Sequence, residues 1–212
     1  MADSSTTATA ENTISTAATS AAAAATSTTA ANKTVNLHIV SAYNRGMAIK
    51  GLDVSFENMD DGEEFSGTTD DQGNISLTDM SAGTYNVHVT DTYGNYTAGE
   101  SSFSVSPDQT VPVNVPVPVA KIQVIYQNSS QKSYQEPSYT VSGVLEKTYK
   151  LSALAAGTNV TDEAGYIVNG ASCLVTARSE VGIMAQHYFM IPMHSSKFYV
   201  RIHDRNRVVF IG

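Results

Sequence analysis

A chain of 212 residues has room for one or two ordinary domains, each with a modest core. Only 15% of its residues are charged, Trp is absent and Tyr (11) outnumbers Phe (6); that profile opposes both a helix-rich enzyme with a salt-bridged surface and a highly charged disordered chain. A net charge of −8 opposes nucleic-acid binding through a global basic field, and the single Cys173 excludes an internal disulfide framework and a multi-cysteine zinc site.

The first residues carry no basic n-region, residues 21–25 are too short and too weakly hydrophobic for a signal h-region, and no run approaches the ~20 apolar residues of a membrane span. The chain is therefore expected to be made in a cytoplasm and to stay there unless an assembly carries it out. Residues 1–32 contain 26 Ala, Ser or Thr. Such a stretch cannot bury enough apolar surface to offset its ordering entropy, so residues 1–33 are read as an arm, flexible alone or ordered only against neighbouring subunits.

Residues 34–118 read as short strands separated by turns. Val35, Leu37 and Ile39 alternate, as do Leu52, Val54 and Phe56, then Ile75 and Leu77, then Tyr85, Val87 and Val89, then Phe103 and Val105. Asp and Gly punctuate the runs at 60–62 and 70–73, and 81–83 turns the chain again. Residues 111–119 carry Pro112, Pro116 and Pro118 and must be an edge strand or an extended connector. About seven short strands in about 85 residues make a sandwich. Residues 119–212 form a second β-rich unit, with strand candidates at 122–126, 139–145, 149–154, 167–168, 172–177, 182–191, 198–202 and 208–211. The apolar end of the chain is expected to be pinned into a sheet or an interface.

Three motifs in order, Lys50-Gly51-Leu52-Asp53-Val54, Thr69-Asp70-Asp71-Gln72-Gly73 and Ala82-Gly83-Thr84-Tyr85-Asn86-Val87, give residues 34–118 a pattern that resembles the carboxypeptidase-regulatory-like and B-type collagen-adhesin group of Ig-like sandwiches. The resemblance implies an all-β sandwich and says little of function, because this scaffold is generic. The residues agree by themselves: Asp70 can accept from backbone amides, Gly73 accepts a positive φ, Gly83 returns the chain to the sheet and Tyr85 packs across its end. The resemblance also raises a Lys–Asn isopeptide bond, which is not expected, since the first strand has Asn36 and His38 at its polar positions and no Lys to join Asn114. Residues 161–167 repeat the Thr-Asp-x-x-Gly pattern in the second unit and suggest the same hairpin chemistry.

Tests for chemistry return little. The five His form no helical i, i+4 or strand H-x-H pair, and the acidic residues at 60–64 and 70–71 lack a calcium-loop pattern, so no metal is expected. Cys173 has no His placed to activate it and reads as a buried thiol. No nucleophile elbow, phosphate loop or dinucleotide fingerprint occurs, so neither enzyme activity nor a cofactor is expected. His187 and His194 flank the run 188–191, which reads as packing at strand ends.

Charge divides the chain unevenly: residues 1–118 hold three Lys/Arg against fourteen Asp/Glu, while residues 119–212 hold nine against six. This suits a two-ended adaptor, with one end docking and the other facing solvent. The docking candidates are Lys197, Arg201, Arg205 and Arg207 with the apolar Phe210, aimed at an acidic protein surface; aromatic rings are not interleaved as nucleic acid would need. The whole reads as an all-β chain with an arm and two sandwich-like units. Its organisation resembles capsid-decoration, head-accessory, tail or fibre proteins of tailed bacteriophages. That resemblance implies a multi-copy virion protein bound to other structural proteins, with neither membrane nor nucleic acid as partner. An extracellular or cell-surface binding module is the other reading.

Overall fold

The computed structural model describes residues 34–99, 101–106, 109–179, 182–203 and 207–210. All regular structure among them is β, as the apolar alternation predicts. The expected arm and the docking candidate Arg205 lie outside the described residues.

Strands β1 (Thr34–Ser41), β2 (Asn44–Ala48), β3 (Asp53–Asn58), β4 (Glu64–Thr68), β5 (Asn74–Thr78), β6 (Gly83–Thr90), β7 (Ser101–Val105) and β8 (Val113–Val117) build two sheets. In the first sheet β1 pairs with β5 and β2 on one side and, in parallel, with β8 on the other. The Pro-containing β8 is thus an edge strand, where a missing amide costs nothing. The second sheet has the order β4-β3-β6-β7. Leu37, Ile39 and Val115 from the first sheet meet Phe56, Tyr85 and Val87 from the second in one core.

Strands β9 (Val119–Gln127), β10 (Ser138–Ser142), β11 (Glu146–Lys150), β12 (Asn159–Val168), β13 (Ser172–Ser179), β14 (Gly182–Met190), β15 (Lys197–His203) and β16 (Arg207–Phe210) build the third sheet, β12-β9-β15-β16, and the fourth, β11-β10-β13-β14. Their facing residues, Ile122, Val124, Tyr139, Val175, Phe198 and Val200 among them, form a second core. Only Pro118 separates β8 from β9, and Val119 packs in the first core while Ala120 packs in the second.

One sequence expectation is corrected. Residues 161–167 are not a hairpin turn: they lie inside β12 and pair with β9, with a bulge between Glu163 and Tyr166. Gly165, at φ 84, supplies the left-handed residue of that bulge, and a Cβ there would sit 2.5 Å from the Thr92 hydroxyl. Gly83, which returns the chain to the sheet, opens β6, and the left-handed residue of the preceding turn is Asp79, at φ 63. Strands β2 and β4 were not expected at all. Each carries few apolar residues, so alternation gave no signal.

Candidate functional site

The turn residues settle first. Asp70 Oδ1 accepts from the amides of Gln72 at 2.8 Å and Asn74 at 2.7 Å, and these bonds hold its carboxyl below the usual carboxylate range. Gly73 has φ 80 and no room for a Cβ, which would stand 2.9 Å from the Ile39 carbonyl oxygen. The Tyr85 ring is fully buried and stacks on Phe103, and its hydroxyl donates to the Ser81 carbonyl oxygen at 3.0 Å. These residues shape the first sandwich.

The docking candidates fall on the third sheet. Phe198, Val200 and Ile202 point into the core, so Lys197, Tyr199, Arg201 and His203 line the outer face of β15. Register adds neighbours that sequence spacing could not show: Lys197 lies beside Lys121, Tyr199 beside Gln123 and Arg201 beside Ile125. Lys121 pairs in turn with Glu163, whose carboxyl it holds below the usual range. Arg201 is half-buried, and its Nε has no hydrogen-bond partner among the described residues. The β15–β16 hairpin sets Arg207 opposite His203 and Phe210 opposite Val200, so the basic residues divide between two strands.

The fourth sheet ends in an edge strand with exposed apolar residues. On β14, Phe189 is buried, as is Ile191 just beyond the strand, but Tyr188 is 72% and Met190 74% exposed. The run 188–191 is therefore packing on one face only. Its outward residues were missed because an edge strand and a central strand share one alternation.

Cys173 is buried in β13, and burial, with a lesser push from the Asp91 charge, raises its thiol to about 12. Burial likewise raises the phenols of Tyr93, Tyr139 and Tyr149. Tyr139 donates to Asp162 at 2.7 Å, and the Tyr93 hydroxyl lies 3.1 Å from that of Tyr149. Both Tyr93 and Tyr149 also donate to the Ala164 carbonyl. Their protons are thus engaged in packing the second core. Among the described residues no cluster of three or more His, Cys, Asp or Glu could hold a metal ion, and no helix is long and apolar enough to cross a membrane.

The same tyrosines anchor the join between the sandwiches. The loop 91–96 leaves β6 of the first sandwich, and its Tyr93 is fully buried in the second core. Asp91, itself buried, folds the loop by accepting from the amides of Tyr93 at 2.7 Å and Asn95 at 3.0 Å. Its other oxygen reaches across to the Val168 amide at 2.7 Å. The Thr92 amide donates to the Tyr166 carbonyl, and the Tyr166 amide donates back to the Thr92 hydroxyl at 2.9 Å.

Compared with known proteins, residues 34–118 match the carboxypeptidase regulatory-like domain family. The chain is similar to a candidate cell-adhesion protein of Bacteroides ovatus at 9% identity, over 86% of this chain and 97% of that one, with a TM-score of 0.40. It is similar to the tip fimbrial protein Mfa3 of Porphyromonas gingivalis at 11% identity, over 84% and 97%, with a TM-score of 0.34. The minor pilin of Streptococcus agalactiae aligns at 11% identity over 80% and 94%, with a TM-score of 0.32. Likeness at these levels transfers no function. No curated protein matches the chain.

Proposed function

We propose that the chain is a non-enzymatic structural and binding module, which docks through the outer face of its second sandwich and leaves the first free to present a surface. The observation that carries this is the basic strip of Lys197, Lys121 and Arg201 on the outer face of β15 and β9. Charges at such a face steer association, while apolar groups that become buried hold the complex. The fitting partner is an acidic protein surface. Residues 1–118, with fourteen Asp/Glu against three Lys/Arg, carry one, so a second copy of the chain is the partner to test. The loop 91–96, seated in the second core, supports the reading by tying the presenting sandwich to the docking one.

The sequence pointed to a tailed-phage virion as the setting. Neither the matched domain nor the named structures support that setting, and the proposal stands at the level of a structural or surface-binding module. Light scattering on the full chain is expected to show concentration-dependent association that salt weakens. Lys197→Glu with Arg201→Glu should slow the association and flatten its salt dependence. A monomer at every concentration, or association untouched by the double reversal, overturns the docking face.

A further inference from the structure

We infer that the outer face of the second sheet, in the first sandwich, is a binding site for a neutral carbohydrate. The inference rests on reading the chain as a binding module and names what that module binds. Along β3, β4 and β6 the apolar residues Val54, Phe56, Phe65, Val87 and Val89 turn inward. The residues between them must then face out. Register sets these outward residues in two rows. Thr68, Asp53 and Thr90 are successive cross-strand partners, and the isolated bridge from Thr90 places Tyr96 at the end of their row. Ser66, Ser55 and His88 form the row beside it.

Within these rows lies an open depression of about 230 Å³, lined by Asp53, Val54, Ser55, Ser66, Gly67, Thr68 and Thr90. Pockets for drug-sized ligands run from roughly 300 Å³ upward, so this one suits a single small ring. The His88 imidazole lies between two acceptors: Nδ1 is 3.3 Å from the Thr97 carbonyl oxygen and Nε2 is 3.4 Å from Glu57. So placed, it stacks on Tyr96 with ring centroids 5.5 Å apart and 8° between the planes. Tyr96 is still 59% exposed. It follows Thr90 in the row, just outside the lining of the depression.

The chemistry of the lining selects the ligand class. Hydroxyls on Ser55, Ser66 and Thr90 can each donate and accept, and that of Thr68, its proton given to Asp53, can accept. Asp53 Oδ1 accepts from the Thr68 hydroxyl at 2.7 Å, which orients the carboxylate and leaves Oδ2 open to a ligand hydroxyl. A phosphate or an acidic sugar would meet Asp53 and Glu57 with no Lys or Arg among the lining residues. A divalent cation would find a single carboxylate there. An apolar peptide would find one aromatic ring and little else. A neutral sugar uses every element, with its hydroxyls on the carboxylate and hydroxyl rows and its C–H face on Tyr96. Affinity for one ring on so open a site should be on the order of millimolar, and multi-copy display would raise it through avidity.

The test is a titration of the full, isotope-labelled chain with free glucose, galactose, N-acetylglucosamine and fucose, followed by amide chemical shifts. Immobilised neutral oligosaccharides provide a multivalent arm; sialyllactose, inorganic phosphate and calcium chloride serve as competitors of other chemistry. At least one neutral sugar is expected to shift the amides of 53–55, 66–68, 88–90 and 96. Tyr96→Ala and Asp53→Asn should each weaken binding about tenfold or more without moving the melting temperature. Ser66→Arg, on an exposed edge position, should block the depression by filling it. No shift with any neutral sugar, shifts elsewhere, or binding unchanged in all three variants overturns the site. So does a response only to phosphate, acidic sugar or calcium. Loss of self-association in Asp53→Asn or Tyr96→Ala would mark the face as a protein interface and overturn the site too. Sugar binding that persists when Lys197→Glu and Arg201→Glu leave association untouched would sink the docking face and keep this one.

Discussion

Gly73 shows how much one missing Cβ does. Its φ of 80 is open to glycine and costly for other residues, and a Cβ would press on the Ile39 carbonyl oxygen at 2.9 Å and the Ile49 amide at 3.1 Å. Both neighbours are backbone, which cannot swing aside. Gly73→Val should therefore lower stability by about 1–3 kcal/mol or more, read by thermal or urea unfolding. Cys173 tests burial in the other core. Its folded thiol sits at about 12, raised from 9.0. A raised pKa means that the neutral thiol stabilises the fold fully below pH 9, and that this contribution is lost as pH climbs toward 12. At pH 8 the native chain should resist a thiol reagent that labels the unfolded chain at once. Fast labelling without unfolding would show the core to be open.

Loops and strands act through what they are paired with. The loop 91–96 contains one charged residue, Asp91, and buries it; the residue is tolerated because its carboxylate accepts four hydrogen bonds, including 2.9 Å from the Asn95 side chain. Asp91→Ala strands those donors, among them the Val168 amide in the neighbouring sandwich. The expected cost is about 3 kcal/mol, seen in denaturant unfolding, with the amides of 93, 95 and 168 losing protection in hydrogen exchange. An unchanged midpoint would mean that the loop is held by the Tyr93 ring alone. Strand β12 carries the related lesson. The Thr-Asp-x-x-Gly pattern makes a turn at 69–73 and a bulge at 161–165, because β9 continues alongside the second and Thr92 fills the space that Gly165 leaves.

For the whole molecule, the distribution of charge and exposed apolar surface matters more than any single group. The chain joins an acidic first half to a mildly basic second half, and the two cores meet where Val119 and Ala120 part company on one strand. This arrangement gives the charge reversals at Lys197 and Arg201 and the substitutions at Asp53 and Tyr96 separate readouts: the first pair acts on association, the second on sugar binding. The two faces lie on different sandwiches, so the effects should be additive when the variants are combined.

Alternation alone determined that the regular structure of the described residues is β: Val35, Leu37 and Ile39, or Phe198, Val200 and Ile202, can bury one face only as strands. Local chemistry determined the 70–73 turn and the edge position of the proline-bearing β8, since Asp, Gly and Pro act within a few residues of themselves. Pairing was beyond reach. Parity says that Asp53, Ser66, Thr90 and Tyr96 face outward, but not that β4, β3 and β6 are neighbours, and only that adjacency gathers hydroxyls, carboxylate and ring into one site. Lys121 is beside Lys197, and Tyr93 is in the other sandwich's core, for the same reason. Which strands lie side by side depends on burying two cores at once, a property of the whole chain that no short stretch of it contains.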